Sequence, residues 1–289
     1  MKNHPDFSVV GTRPPRVDAV DKVTGRATFG TDVQLPGMLH GKVLRSPHAH
    51  ARIIAVDTRE AEALPGVYAV VTAEDLRTPE VLAALEDGGM DFRSACENTL
   101  AHDKVLYVGH PVAAVAARTP HIAEQALDLI QVEYEVLQPV MDVLAAMQED
   151  APLLHPTLYT QSLAGKSESP SNVAMYFQHV KGEPDQGFAE AEVVVEHEFR
   201  SLMVHQGYLE PHVSTAEWNA AGRLTIYADT QGAFAVRDHV VDLLKLPMSQ
   251  VRVIPLEVGG AFGGKNASYV DVVAALLARK ARRPVKVVM

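Results

Sequence analysis

One cysteine, Cys96, is all that 289 residues contain. An internal disulfide framework is therefore excluded, and so is a four-thiolate zinc or iron–sulfur site built within the chain. Any such cluster must sit on a partner. Basic charge is also scarce: 26 Lys and Arg stand against 36 Asp and Glu, a formal net charge of -10. Nucleic-acid surfaces need a basic stripe to displace counterions, so no nucleic-acid partner is expected. No run approaches the roughly 18 consecutive apolar residues of a membrane helix. The first ten residues, with Lys2 and Asp6, lack the apolar core of a secretory signal. The expected location is cytoplasmic, with no membrane partner.

Hydrophobic residues make up 47% and charged residues 21%, a globular composition with length for two ordinary domains. The first twenty residues read as an extended arm, because Pro14 and Pro15 remove donors and fix the backbone. Strands are expected over Met38 to Leu44, Ile53 to Val56 and Val67 to Val71, with a short helix from Thr58 to Leu64. Strand, helix, strand outlines a crossover unit. A helical piece from Glu80 to Glu86 and then a long loop holding Gly88, Gly89 and Cys96 follow. Strand-turn-strand is expected from Leu106 to Ala117, a helix from Pro120 to Ile130, and a strand from Val132 to Val136. Residues 160–187 are polar and read as a connector.

The second half restarts with an alternating strand from Glu192 to Arg200. A hairpin over Val213 to Ala228 turns at Asn219-Ala-Ala-Gly222. Helices are expected over Gln231 to Leu244 and Ser268 to Arg282. The second carries Val270, Val273, Ala274 and Leu277 at helical spacing. Val251 to Val258 and Val285 to Met289 read as strands. The last is apolar on both faces and wants a neighbour on each edge, so the expectation is that the domain has either been cut or is completed by another polypeptide.

The sharpest feature is Gly259-Gly-Ala-Phe-Gly-Gly-Lys265, four glycines in six positions between a strand and a helix. Such a turn lets the main chain approach a ligand, and its amides can form an anion-binding nest. Three readings compete. A phosphate loop fits the Gly-x4-Gly-Lys frame, yet Asn266 stands where a magnesium-ligating hydroxyl belongs. A plain structural turn rarely needs four glycines and an aromatic. The third reading rests on resemblance.

Gly-Gly-x-Phe-Gly-Gly-Lys, followed by an alanine-rich helix and Arg-Pro-Val, resembles the molybdenum-site loop of the xanthine dehydrogenase and aldehyde oxidase family. His205-Gln-Gly-Tyr-Leu-Glu-Pro-His212 and Thr230-Gln-Gly-Ala-Phe234 are similar to two further segments of it. Asp21-Lys-Val-Thr-Gly-Arg-Ala, Leu35-Pro-Gly-Met-Leu, Arg45-Ser-Pro-His-Ala-His-Ala-Arg52, Leu64-Pro-Gly-Val and Gly109-His-Pro-Val-Ala-Ala-Val115 resemble its α/β hammerhead domain. The resemblance implies an α+β fold: an arm (1–18), a hammerhead (19–150), a linker (151–187) and the first, incomplete part of a mixed α+β molybdopterin-binding domain (188–289).

The resemblance also implies a chemistry. Gly263 would offer its amide to the apical oxo of molybdenum and Gln206 a second hydrogen bond to it. Gln231, Gly232, Gly260, Ala261 and Phe262 would lie along the cofactor. Phe262 and Asn266 would line the substrate pocket. Asn266 replaces a glutamate of purine-oxidising members, which argues against hypoxanthine or xanthine. N-heterocycles, aldehydes, aromatic thioesters and carbon monoxide stay open. The cofactor would be molybdopterin or its cytosine dinucleotide form, and the inserted oxygen would come from water. No catalytic residue and no direct metal ligand are expected in this chain, because the family's general-base glutamate lies nearer the C-terminus. The expected partners are a second molybdopterin-binding subunit, a [2Fe-2S] subunit, an FAD subunit and a small-molecule substrate. Alone, the chain would be inert. A truncated or non-catalytic scaffold fragment of such an enzyme and a phosphate-loop-like nucleotide-binding protein stand behind this reading.

Other constellations are plainer. His48 and His50 would share a strand face but lack a third ligand. His197, His205, Glu210 and His212 do not form a His-Glu-x-x-His helix. Glu210 and Glu257 flank the motifs without a signature of a base. Cys96 reads as an ordinary thiol.

Overall fold

The computed structural model describes residues 8–87 and 90–289. After helix α1 (Ala19–Val23) come strands β1 (Leu39–Arg45) and β2 (Ala51–Asp57), helix α2 (Arg59–Ala63) and strand β3 (Val67–Thr72). Helices α3 (Ala73–Leu76), α4 (Pro79–Asp87) and α5 (Met90–Thr99) precede β4 (Lys104–Val105), β5 (Pro111–Ala117), α6 (Pro120–Asp128) and β6 (Gln131–Val136). A short helix α7 (Val143–Ala146), a hairpin β7 (Tyr159–Ser162) and β8 (Gly165–Pro170), and α8 (Pro184–Glu190) follow. The last third holds β9 (Val213–Trp218), β10 (Leu224–Ala228), α9 (Ala233–Leu244), β11 (Val251–Pro255), α10 (Asp271–Ala281) and β12 (Val285–Val288). The architecture is mixed α+β.

The main sheet has seven strands in the order β11-β10-β9-β12-β1-β5-β3. It joins strands from the two ends of the chain. β12 lies between β1, to which it is parallel, and β9, to which it is antiparallel. Both edges of the last strand are thus filled by this chain, and the expectation that another polypeptide completes it is corrected. The sequence could not show this, because β1 lies some 250 residues upstream of β12. Gly41 marks how close the join is: a Cβ there would stand 2.6 Å from Val287 Cγ2.

Burial explains the strand patterns. β5, Pro-Val-Ala-Ala-Val-Ala-Ala, is buried along its whole length. Ala114 and Ala116 face the core under α10, and Ala113 and Val115 face a second core under α2 and α6. A central strand covered on both faces needs small apolar residues throughout rather than alternation. Helix α10 is buried at every position from Asp271 to Ala278. A one-faced stripe was expected. The helix instead packs on β9, β12, β3 and β5 and also meets α9, so all its sides are covered.

Four further expectations are corrected. β2 pairs with β4 and β6 in a separate three-stranded sheet, so β2, α2 and β3 form no crossover within one sheet. The loop expected after Glu86 is helix α5 over Met90–Thr99, while Gly88 and Gly89 lie outside the described residues. Phe92, Ala95, Cys96 and Leu100 pack toward the core from it, a helical period diluted by charged neighbours. The polar connector contains the β7–β8 hairpin and α8 but buries no residue from 160 to 187. Backbone pairing builds such a hairpin without a core. Finally, Glu192 to Arg200 forms no strand and lies exposed.

Candidate functional site

The glycine loop leaves the end of β11 and returns into α10, and two other segments press on it. One is the turn after β10, Asp229 to Gly232. The other is the stretch from His205 to His212 leading into β9. A buried charge cluster joins all three. Lys265 is only 1% exposed, and its ammonium lies 2.8 Å from Glu210 Oε2 and 2.5 Å from Asp229 Oδ2. Burying an ammonium costs several kcal/mol unless it is paired, so two carboxylates converge on it. Asp229 Oδ1 accepts from the Val213 amide at 2.9 Å. Glu210 Oε2 accepts from the Gly259 amide at 2.6 Å, and its Oε1 from the Gly30 amide at 3.3 Å. One glutamate thus fastens the start of the glycine loop to both the first third of the chain and the lysine that ends the loop.

Backbone bonds complete the cradle. The Gln231 amide and the Thr230 hydroxyl both donate to the Lys265 carbonyl, at 2.9 and 3.1 Å. Gln231 Oε1 accepts from the Gly263 amide at 3.2 Å and from the Lys265 amide at 3.4 Å. Gly264 leaves no room: a Cβ there would stand 2.7 Å from Tyr208 Cε1 and 3.2 Å from Gln206 Cδ. Gly232 lies beside the Asn266 carbonyl. All eight residues expected at the site, Gln206, Gln231, Gly232, Gly260, Ala261, Phe262, Gly263 and Asn266, fall on the loop or on the two segments bracing it, but the Gly263 amide, expected to face a ligand, donates instead to Gln231 Oε1, because that side chain reaches across the bend.

The loop's own geometry is that of a ligand cradle. Gly260 and Gly263 have φ of 101° and 90°, and Phe262 adopts φ 50° with a ring 74% exposed. A bulky residue in the left-handed region costs about 1–3 kcal/mol and concentrates at functional sites. The amides of Gly260, Ala261 and Phe262 have no acceptor among the described residues. A Cβ on Gly263 would meet nothing within 4 Å. Three consecutive unclaimed donors in a bend that is open at Gly263 and exposed at Phe262 suit a ligand rich in oxygen acceptors.

His212 sits under the cradle. Its Nε2 is 3.0 Å from the Tyr208 hydroxyl and its ring centroid 4.3 Å from that of Tyr269. Burial, with the Lys265 and His205 charges beside it, pushes its pKa down from 6.5 to about 4. Burial pushes Asp229 up from 3.8 to about 6, against the pull of Lys265. These two shifts oppose each other. As pH falls from 6.5 to 4, only the unfolded chain protonates the histidine, so the fold loses stability. As pH falls from 6 to 4, the folded chain protonates Asp229 first, so the fold gains. Between pH 7 and 5, His212→Gln is expected to gain stability on acidification and Asp229→Asn to lose it. Each slope is at most roughly 1.4 kcal/mol per pH unit. Urea unfolding at pH 5, 6 and 7 measures both, and equal slopes for the two variants would refute this account.

Glu210, Asp229, Lys265 and Tyr208 were not singled out by sequence reasoning as parts of the cradle. Lys265 figured as the end of the glycine motif and as a phosphate-loop lysine, and its enclosure by two carboxylates removes the latter reading's cation. A charged residue within a glycine run, and an aspartate directly after the apolar β10, were the only signals. His48 lies in the turn before β2 against Tyr134, and His50 Nδ1 is 2.8 Å from the Gln138 carbonyl oxygen, so neither is strand-borne as expected. No cluster of three metal-ligating side chains occurs among the described residues. Cys96 is buried and its thiol is pushed up to about 11, an unreactive state.

The fold and cradle define a hammerhead unit joined to a molybdopterin cofactor-binding domain. Residues 24–138 match the model of the aldehyde oxidase and xanthine dehydrogenase a/b hammerhead domain, and residues 166–289 that of the molybdopterin cofactor-binding domain. The chain belongs to the xanthine dehydrogenase and aldehyde oxidase family. It is 32% identical to the nicotinate dehydrogenase large molybdopterin subunit of Eubacterium barkeri, covering 98% of this chain and 62% of that one. It is 35% identical to the carbon monoxide dehydrogenase large chain of Afipia carboxidovorans, covering 93% and 33%. The crystal structure of Cu,Mo-CO dehydrogenase superposes with a TM-score of 0.78 at 32% identity, over 96% of this chain and 35% of that one. Quinoline 2-oxidoreductase from Pseudomonas putida 86 gives 0.77 at 29% identity, over 96% and 34%. The chain thus spans between a third and three fifths of these relatives.

Proposed function

We propose that this chain is the hammerhead and first cofactor-binding part of a molybdenum hydroxylase, an oxidoreductase acting in a complex. The division is an arm (1–18), hammerhead (19–150), linker (151–187) and cofactor-binding part (188–289). A second molybdopterin-binding polypeptide completes the site, and [2Fe-2S] and FAD subunits carry electrons away. The observation that carries this is the loop Gly259–Lys265: three unclaimed amides, an exposed Phe262 and a buried ionic lock, all within the cofactor-binding match.

When bound, the molybdenum centre supplies the two-electron oxidation of an electron-poor carbon, with oxygen drawn from water. This chain's residues hold and shape. Gly260 and Ala261 offer free backbone amides, Gln206 and Gln231 offer side-chain amides, and Gly232 and Gly263 offer close backbone approach to the cofactor, in its molybdopterin or cytosine dinucleotide form. Rigid, pre-aimed donors stabilise developing negative charge without reorganising. The Phe262 ring borders the substrate and favours flat aromatic or apolar molecules. Asn266, a neutral side chain where purine-oxidising members carry a glutamate, suits an N-heterocycle other than a purine, or an aldehyde. Glu210 and Asp229 are both committed to Lys265, so proton abstraction belongs to a group outside this cradle. No helix among the described residues is long and apolar enough to cross a membrane, and we place the complex in the cytoplasm.

Tagging the chain in its native host and purifying the assembly tests this. Molybdenum, pterin, iron and flavin are expected to co-purify, with about one molybdenum per chain. A partnered assembly without pterin would favour the scaffold reading. A lone chain without molybdenum would defeat the proposal.

A further inference from the structure

Residues 191–205, Ala-Glu-Val-Val-Val-Glu-His-Glu-Phe-Arg-Ser-Leu-Met-Val-His, are the largest unexplained feature of the molecule. β-branched and aromatic residues dominate, the composition of a strand. From 192 to 200, even positions carry Glu192, Glu196, Glu198 and Arg200, broken only by Val194, while odd positions carry Val193, Val195 and Phe199, broken only by His197. That is close to the period of two of a strand with one charged and one largely apolar face, and it is lost from 201 to 205. Yet no backbone N–H or C=O from 191 to 205 meets a backbone partner among the described residues. Val195 is 71% exposed, Phe199 88% and Met203 100%. A strand without a neighbour is marginal in water, and its open edges are a template for pairing.

We propose that residues 191–205 form a strand by adding to the edge of a sheet on the second molybdopterin-binding polypeptide, whose pairing strand is apolar on one face and bears Lys or Arg on the other. This rests on the function proposed above and adds where and how that partner docks. Three observations select the occupant. The first is charge. A second copy is disfavoured in most registers, because antiparallel self-pairing centred on residue 194, 195 or 197 sets Glu192 against Glu196, Glu192 against Glu198, or Glu196 against Glu198, and only a register centred on 199 sets Glu198 against Arg200 instead. Parallel in-register pairing sets each glutamate against itself. Like charges directly opposite destabilise a ladder, so a basic partner strand complements the three glutamates in every register and an identical strand in few. The second is length. This chain spans 62% of the nicotinate dehydrogenase large molybdopterin subunit and 33% of the carbon monoxide dehydrogenase large chain, so these relatives carry further polypeptide. The third is continuity. The segment runs directly into Gln206, Tyr208 and Glu210, which brace the glycine loop. Pairing upstream would therefore fix the cradle from the partner's side, as main-chain bonds give affinity and alternate side chains give specificity.

Backbone hydrogen exchange of the full chain, alone and in the complex purified from the host, tests the proposal. Peptides covering 191–205 are expected to exchange within seconds in the lone chain and at least about 100-fold more slowly in the complex. The double variant Glu196→Lys with Glu198→Lys is expected to fold normally, since both side chains are solvent-exposed, and to bind the complex roughly tenfold more weakly. Val194→Pro and Val195→Pro delete N–H groups on opposite strand edges. The one facing the partner is expected to release it, and the other to retain more of it. Fast exchange of 191–205 in a complex that contains pterin would overturn this inference and leave the proposed function standing. Slow exchange in the lone chain with the mass of a dimer would overturn it in favour of a second copy. Absence of any pterin-containing complex would overturn the proposed function, and this inference with it.

Discussion

Lys265→Met is expected to destabilise the chain by about 3–5 kcal/mol, the cost of removing one member of a buried ion cluster. The ammonium stands 2.8 Å from Glu210 and 2.5 Å from Asp229, all three side chains nearly enclosed. Methionine matches the length and apolar stem of lysine, so little packing is lost. What remains is two carboxylates facing each other without a cation. Both must then protonate or admit water, and Glu210 weakens its hold on the Gly259 and Gly30 amides. Chemical unfolding of the full chain measures the effect. Adding Glu210→Gln and Asp229→Asn to Lys265→Met is expected to recover much of the loss, because replacing a whole buried cluster costs less than breaking it. A loss below about 1 kcal/mol for the single variant would show that the lysine is not held as described.

Gly264→Ala is expected to deplete the purified complex of molybdenum about tenfold or more while leaving the chain folded. A Cβ at this position would stand 2.7 Å from Tyr208 Cε1, 3.1 Å from the Ala261 carbonyl oxygen and 3.2 Å from Gln206 Cδ. The carbonyl cannot yield, since it accepts the Gly264 amide at 2.8 Å in the turn itself. The loop must shift, at the 1–3 kcal/mol typical of overpacking, which is about 5- to 150-fold in an equilibrium constant. That displacement moves the three unclaimed amides next to it. Gly222→Ala provides a matched control: φ is 74°, no atom lies within 4 Å of its Cβ, and it occupies the hairpin turn distant in sequence from the loop. It is expected to cost a little stability and no molybdenum. Equal molybdenum contents for the two variants would show that the cofactor does not depend on this bend.

Much of the site was legible because its residues advertise an unusual backbone. Glycines in dense succession, with Gln231 and Gln206 in separate motifs, can be read without knowing what lies beside them. The brace was not legible. Lys265, Glu210 and Asp229 are separated by 55 and 36 positions, and as isolated charged residues each reads as a solvated surface group. Their burial is a property of three segments arriving together. The same holds for secondary structure. Helix α6 was readable from Pro120 and an apolar face, whereas α5 hid its period among Asp91, Arg93, Glu97 and Asn98. Glu192 to Arg200 carries a clear strand pattern and no strand, because alternation states what a segment can pair with, while pairing needs an edge to be present.

By itself the sequence determined the local choices: which stretches bury apolar side chains, where glycine permits a bend, and that one cysteine cannot supply a four-thiolate site within these residues. Only the tertiary structure decided that β12 slots between β9 and β1, making one sheet from the two ends of the chain, and that a lysine in a glycine run is locked inside rather than offered to solvent. The reason is physical. Propensity and periodicity act over a few residues, whereas sheet neighbours and buried ion pairs are settled by which distant segments together remove the most surface from water with the fewest unpaired charges.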